Sequence, residues 1–129
     1  MKQLLLLALV IVIGVAAIKF YTHHDAGFRK LSAEEAKARL DSGDPLVLLD
    51  VRTREEFDSG HISGALCLPV ESIGSEAPAE LPDRNAEILI YCRSGRRSAE
   101  AAKKLTKLGY TNVCDFGGIQ DWPYGTVTE

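Results

Sequence analysis

The stretch ILIYCRSGRRSAEAAKKL, Ile88 to Leu105, limits what this chain can fold into more than any other segment. It opens on a short apolar run, Ile88 to Tyr91, the pattern of a buried strand. It closes on alanines and lysines at helical spacing. Between the two halves lie Cys92 and a turn carrying Arg93, Arg96 and Arg97. A strand that passes directly into a helix around one cysteine places that thiol beside a cationic turn and a helix N-terminus. The thiolate is the nucleophilic form, and positive surroundings lower a thiol's pKa. Backbone N–H groups at a helix start form a ready anion site. A nucleophile and an anion cradle are therefore expected within Cys92–Ser98.

The rest of the chain repeats the strand–helix alternation. Ser32-Ala33-Glu34-Glu35 is a capping box, and the helix it opens is expected to run towards Asp41 with Gly43 as its stop. Leu46 to Asp50 is an apolar run ending in a carboxylate and reads as a central strand. Thr53-Arg54-Glu55-Glu56 is a second capping box, opening a short helix that stops at Gly60. Ala65 to Leu68 reads as a strand ended by Pro69, and Val70 to Asn85 as irregular chain with one helical turn. Ser98 is expected to cap a helix over Ala99 to Leu108, with Lys103, Lys104 and Lys107 favourably placed for its dipole and Gly109 ending it. Val113 to Phe116 reads as the last strand, with a final turn near Trp122. Such alternation predicts a parallel α/β sheet, and ligands in such sheets bind beyond the carboxyl ends of the strands. Asp50 and Cys92 both end strands, so they are expected on one edge.

The formal net charge of −3 argues against nucleic acid as a partner, which would want a basic face. The arginines after Cys92 are a local feature and suit a small anion. Cys67, Cys92 and Cys114 are widely spaced without C-x-x-C, which argues against zinc. His23 and His24 read as solvated linker. Residues 1–18 read as a signal peptide or membrane anchor, with Lys2 before an unbroken apolar run over 4–18, and 19–27 as a linker. The run is slightly short for a membrane span. Lys19, Arg29 and Lys30 follow it, so charge asymmetry does not favour export. The expectation is nonetheless an extracytoplasmic domain, periplasmic or membrane-anchored.

Four segments in order resemble the rhodanese family, specifically its single-domain members: Leu48 to Pro69, Ile88 to Ala102, Leu108 to Val113 and Phe116 to Trp122. The resemblance implies a rhodanese-like α/β domain over 28–125, with a five-stranded parallel sheet flanked by helices. It implies a sulfurtransferase in which Cys92 takes the outer sulfur of a donor such as thiosulfate as a persulfide. A thiol or cyanide acceptor, or a sulfur-accepting protein, then removes it. No cofactor or metal is implied beyond that covalent intermediate. The substrate-binding residues would be Arg93, Ser94, Gly95, Arg96, Arg97 and Ser98. Arg96 and Arg97 would attract thiosulfate and steady the departing sulfite, while Arg93 would do the same or point outward to a partner. Gly95 would permit the tight turn, and Ser94 and Ser98 would donate hydroxyl hydrogen bonds.

Asp50 and Arg52 match the family's DVR motif and read as a supporting structural pair. His61 reads as a turn residue bonded to backbone, since persulfide exchange needs no general base once the thiolate exists. Cys67 and Cys114 read as buried small apolar residues. The family's strand order would separate their strands by two others, so no disulfide is expected. Two alternatives stand. A phosphatase or arsenate reductase on the same fold would use C-x5-R, but the sixth position after Cys92 is Ser98. A persulfide carrier serving a dedicated protein partner would keep the same loop.

Overall fold

The computed structural model describes residues 27–129. The readings placed on the apolar run and on most of the linker fall outside the described residues. No helix among the described residues is long and apolar enough to cross a membrane.

The described chain forms β1 (Arg29–Lys30), α1 (Ala33–Asp41), β2 (Val47–Asp50), α2 (Arg54–Ser59), β3 (Leu66–Cys67), β4 (Ile88–Cys92), α3 (Arg96–Lys107) and β5 (Val113–Gly118). The strands build one parallel sheet in the order β1-β5-β4-β2-β3. Both capping boxes form as the sequence predicts. Ser32 and Glu35 exchange side-chain and backbone bonds at the start of α1, and Thr53 and Glu56 do so at the start of α2. Each pair satisfies two backbone N–H groups that a helix start leaves without a partner. Short 3-10 turns at Val70–Ser72 and Ile119–Asp121 match the expected helical turn and the turn before Trp122.

β4 is the middle strand, and all five of its residues are buried. Strand side chains alternate faces, so β4 feeds two cores. Ile88, Ile90 and Cys92 join Leu49, Val113 and the α3 residues Ala101, Ala102 and Leu105. Leu89 and Tyr91 join Leu48, Cys114, Phe116, Trp122 and Ala36 of α1. α3 and α1 therefore cover opposite faces, and period-2 alternation puts Cys92 on the face that α3 covers.

Two local expectations need correction. Ser98 does not cap its helix. α3 begins at Arg96 with Gly95 as its N-cap, and Ser98 lies fully buried inside the first turn. The left-handed φ of +110° at Gly95 brings the chain into the helix sooner than a serine cap would. The edge strand β1 is the second difference, since the sequence pattern gives no strand there. Arg29 and Lys30 are exposed and carry no apolar alternation, and only their pairing with Cys114 and Asp115 makes them a strand.

Candidate active site

Asp50 and Cys92 lie at the carboxyl ends of adjacent strands, with Asp50 paired in register to Tyr91. Cys92 is 1% exposed, and the loop that follows it folds back over its sulfur. The Gly95 N–H donates to Cys92 Sγ at 3.0 Å, and Ser98 Oγ lies 3.6 Å from the same sulfur. Burial by itself raises the Cys92 thiol. Hydrogen bonds from the Ser98 hydroxyl and from the backbone N–H groups of Ser98, Gly95 and Ser94 outweigh it, and the thiol falls below its ordinary value. Both a cationic turn and the N–H groups of a helix start were expected around this sulfur, and the two do not weigh equally. Donors of the loop lead the stabilisation, and the arginine charges do not. The Ser98 hydroxyl has one proton and several acceptors around it, including Gly95 O at 3.0 Å and Gly117 O at 3.4 Å. Turning that proton to the sulfur is favoured when Cys92 is ionised.

The three arginines separate. Arg93 and Arg96 are exposed and make no ion pair among the described residues. Arg97 instead reaches α2, where Nη1 donates to Glu56 Oε1 at 2.7 Å and Nη2 donates to Glu56 Oε2 at 3.0 Å. Glu56 is also the last member of the α2 capping box, so two elements fix its carboxylate. The Arg97 bond leads the causes that hold the Glu56 carboxyl down at about 2, against some opposition from burial. The sequence marks Glu56 only as a helix cap. Its second role pairs residues far apart in the chain, and no local spacing announces it.

Asp50 and Arg52 form the supporting pair foreseen. Asp50 is fully buried, and Arg52 donates to its carboxylate from Nε at 3.0 Å and from Nη2 at 2.6 Å. Arg52 Nη2 also donates to Gly60 O at 2.7 Å, tying the end of β2 to the end of α2. His61 is buried, with Nδ1 2.8 Å from Phe57 O and its ring stacked on Phe57; it is bonded to backbone as expected, but it lies in an isolated antiparallel bridge with Val127 and not in a turn. Cys67 and Cys114 are free and buried, on strands separated by β4 and β2. Burial pushes both thiols up, the opposite of Cys92.

The support that the sequence did not reveal comes from β5. Its register with β4 slips between Ile90 and Cys92, giving β5 one extra residue at a bulge. Gly117 takes φ +89° there, and its N–H donates to the buried Asp115 carboxylate at 2.9 Å. Gly118 then packs backbone to backbone under the Cys92 loop, where a Cβ would stand 2.2 Å from Arg93 O. The doubled glycine was visible in the sequence, but what it touches was not.

An open cleft of about 330 Å³ beside the loop is lined by Arg52, Glu56, Ser59, Arg93, Ile119 and Gln120. A larger one, about 470 Å³, lies at the opposite end of the strands around Arg39 and Glu87 and holds no nucleophile.

A family model described as Rhodanese-like domain matches residues 32–123. The thiosulfate sulfurtransferase PspE of Escherichia coli is 34% identical over 73 residues, covering 57% of this chain and 70% of PspE. A Bacillus subtilis protein named as a sulfur carrier, YrkF, is 38% identical over 94 residues, 72% of this chain and 50% of YrkF. The chain thus spans about half of that relative's length. A solved structure of a rhodanese with anions from E. coli superposes with a TM-score of 0.60 at 30% identity, covering 66% of this chain and 100% of that one.

Proposed function

We propose, from the premise that this chain belongs to the rhodanese-like domain family, that it is a thiosulfate sulfurtransferase working through a persulfide on Cys92. Sulfur transfer is the activity for which its relatives are named, as a sulfurtransferase in one case and a sulfur carrier in another. The finer reading rests on one observation above all. A buried cysteine sulfur accepts the Gly95 N–H at 3.0 Å, inside a loop whose other donors also favour its ionised form.

In this reading the Cys92 thiolate attacks the outer sulfur of thiosulfate. The sulfur–sulfur bond breaks, its electron pair leaves with sulfite, and Cys92 becomes a persulfide anion. An acceptor thiol or cyanide then attacks that outer sulfur and returns Cys92 as thiolate. The N–H donors at Ser94, Gly95 and Ser98 are fixed before the reaction, so they hold negative charge on sulfur without reorganising. The exposed Arg93 and Arg96 guanidiniums supply a cationic approach for an anionic donor. Arg97 adds donors of fixed orientation through its pair with Glu56.

The phosphatase reading lacks its own support. The position six residues after Cys92 holds the buried Ser98, and the neighbouring Arg97 is turned to Glu56. A carrier role for a protein partner shares every feature above, and the likeness to YrkF favours keeping it as the second reading.

The test is the intact mass of the purified chain after thiosulfate treatment, beside Cys92→Ser. A gain of one sulfur, absent in the variant and reversed by cyanide, is the expected result. No gain would move the reading to a protein-specific sulfur donor, and a phosphate-ester assay would follow.

A further inference from the structure

We propose that Glu56 sets the charge preference of the donor site: by holding Arg97 as a neutral pair at the rim of the Cys92 loop, it weakens selection for dianionic donors and leaves monoanionic ones competitive. The inference rests on the sulfur-transfer reading of Cys92 and goes beyond it to donor specificity.

The geometry carries the argument. Arg97 sits in the first turn of α3, the helix that continues the Cys92 loop. Its guanidinium is held end-on by both oxygens of Glu56 at 2.7 and 3.0 Å, a bidentate fork that fixes orientation as well as charge. Glu56 cannot drift away, because its Oε1 also accepts from the Thr53 N–H at 3.3 Å and the Thr53 hydroxyl at 3.2 Å. The two side chains are 20% and 29% exposed, so the pair is only partly screened. Arg93 and Arg96 have no such carboxylate among the described residues, which leaves them as the uncompensated positive charge at the mouth. Of the three arginines beside the nucleophile, the one tied most firmly is thus the one whose charge is cancelled.

The reaction itself shows why this matters. A thiosulfate dianion meets a thiolate, and a sulfite dianion must leave. An aromatic thiosulfonate carries one charge, and its leaving sulfinate also carries one. In both, the donor's S–S bond breaks with its electron pair on the leaving group while a new S–S bond forms at Cys92. Uncovering one positive charge at Arg97 favours each donor in proportion to its charge. The fold-change for the dianion is therefore the square of that for the monoanion, about tenfold against about threefold at modest ionic strength.

Glu56→Gln is the informative change, because glutamine preserves the capping box and one bond to Arg97 while removing the charge. Glu56→Asp retains the charge. The full chain would turn over thiosulfate or benzenethiosulfonate at varied concentration with excess cyanide as acceptor, thiocyanate release giving KM and kcat, and Cys92 persulfide would be read by intact mass before cyanide is added. The expected result is a KM for thiosulfate about tenfold lower in E56Q and about threefold lower for benzenethiosulfonate, with kcat within about twofold. The preference should collapse towards the wild-type ratio in high salt, and E56D should keep the wild-type ratio. A merely structural Glu56 would raise both KM values together in E56Q; that outcome, or an unchanged donor ratio, overturns the proposal. No persulfide on the wild type with either donor would overturn the sulfur-transfer reading and this inference with it. That result is distinct from an active enzyme with an unchanged ratio.

Discussion

Replacing Gly118 by alanine tests whether β5 holds the Cys92 loop in its working shape. Gly118 has φ −116° and ψ 148°, which any residue adopts, so the substitution strains no backbone of its own. Its cost comes from contact. The new Cβ would stand 2.2 Å from Arg93 O and 2.7 Å from both Arg93 C and Ser94 Cα. These are backbone atoms of the two residues after Cys92, and they have no rotamer by which to withdraw. Restoring an ordinary contact requires a shift of about 1 Å, an overpacking that costs about 1–3 kcal/mol. The same shift lengthens and weakens the 3.0 Å bond from Gly95 N–H to Cys92 Sγ. A bond to a charged acceptor is worth about 1.5–3 kcal/mol when lost, and weakening it disfavours the thiolate against the thiol. The Cys92 thiol should therefore titrate higher, and its thiolate fraction at neutral pH should fall.

Alkylation of Cys92 against pH, resolved by peptide mass, measures the titration, and a denaturant midpoint measures the stability. Gly74→Ala is the control, since a Cβ there meets nothing within 4 Å; it should stay within about 0.5 kcal/mol of wild type. If Gly118→Ala reproduced both the wild-type alkylation midpoint and the wild-type stability, the inferred grip of β5 on the loop would be wrong.

Ser98→Ala should also raise the Cys92 thiol pKa, because the hydroxyl leads the bonds that favour the thiolate; an unmoved alkylation midpoint would remove Ser98 from that role. Arg52→Ala strips the partner from Asp50, which is 0% exposed, and should cost about 3–5 kcal/mol in a denaturant titration. Glu56 titrates at about 2 in the folded chain against an ordinary 4.5. A depressed carboxyl stabilises above its unfolded value, so this contribution, about 1–3 kcal/mol after allowing for screening, is complete above pH 4.5 and fades as pH falls towards 2. Thermal melts should show E56Q losing less stability than wild type across that window, and parallel curves would contradict the assignment.

The legible part of this protein was local. Each capping box is written within four residues, so Ser32–Glu35 and Thr53–Glu56 announce their helices without reference to the rest of the chain. The run Ile88 to Tyr91 followed by Cys92 and an alanine-rich helix could only be a buried strand turning into a helix, and β4 and α3 have that form. Asp50 and Arg52 lie two residues apart, near enough for their pairing to be read directly. The helix start differs from the serine cap that propensity favours at Ser98. The left-handed turn at Gly95 and the demand of Cys92 for a buried hydroxyl decided otherwise.

Sequence alone thus determined the alternation of strands and helices, the nucleophile at a strand end, and the resemblance that the family match made firm. Tertiary structure decided what surrounds that nucleophile. Strand order brought Glu56 of α2 to Arg97 of α3, and the slipped register of β5 set Gly118 beneath Arg93. Caps and periodicity act between neighbours in the chain and leave a mark on its composition. A salt bridge or a backbone contact between distant segments depends on where the sheet places them, and either partner looks the same in sequence whether or not the other arrives.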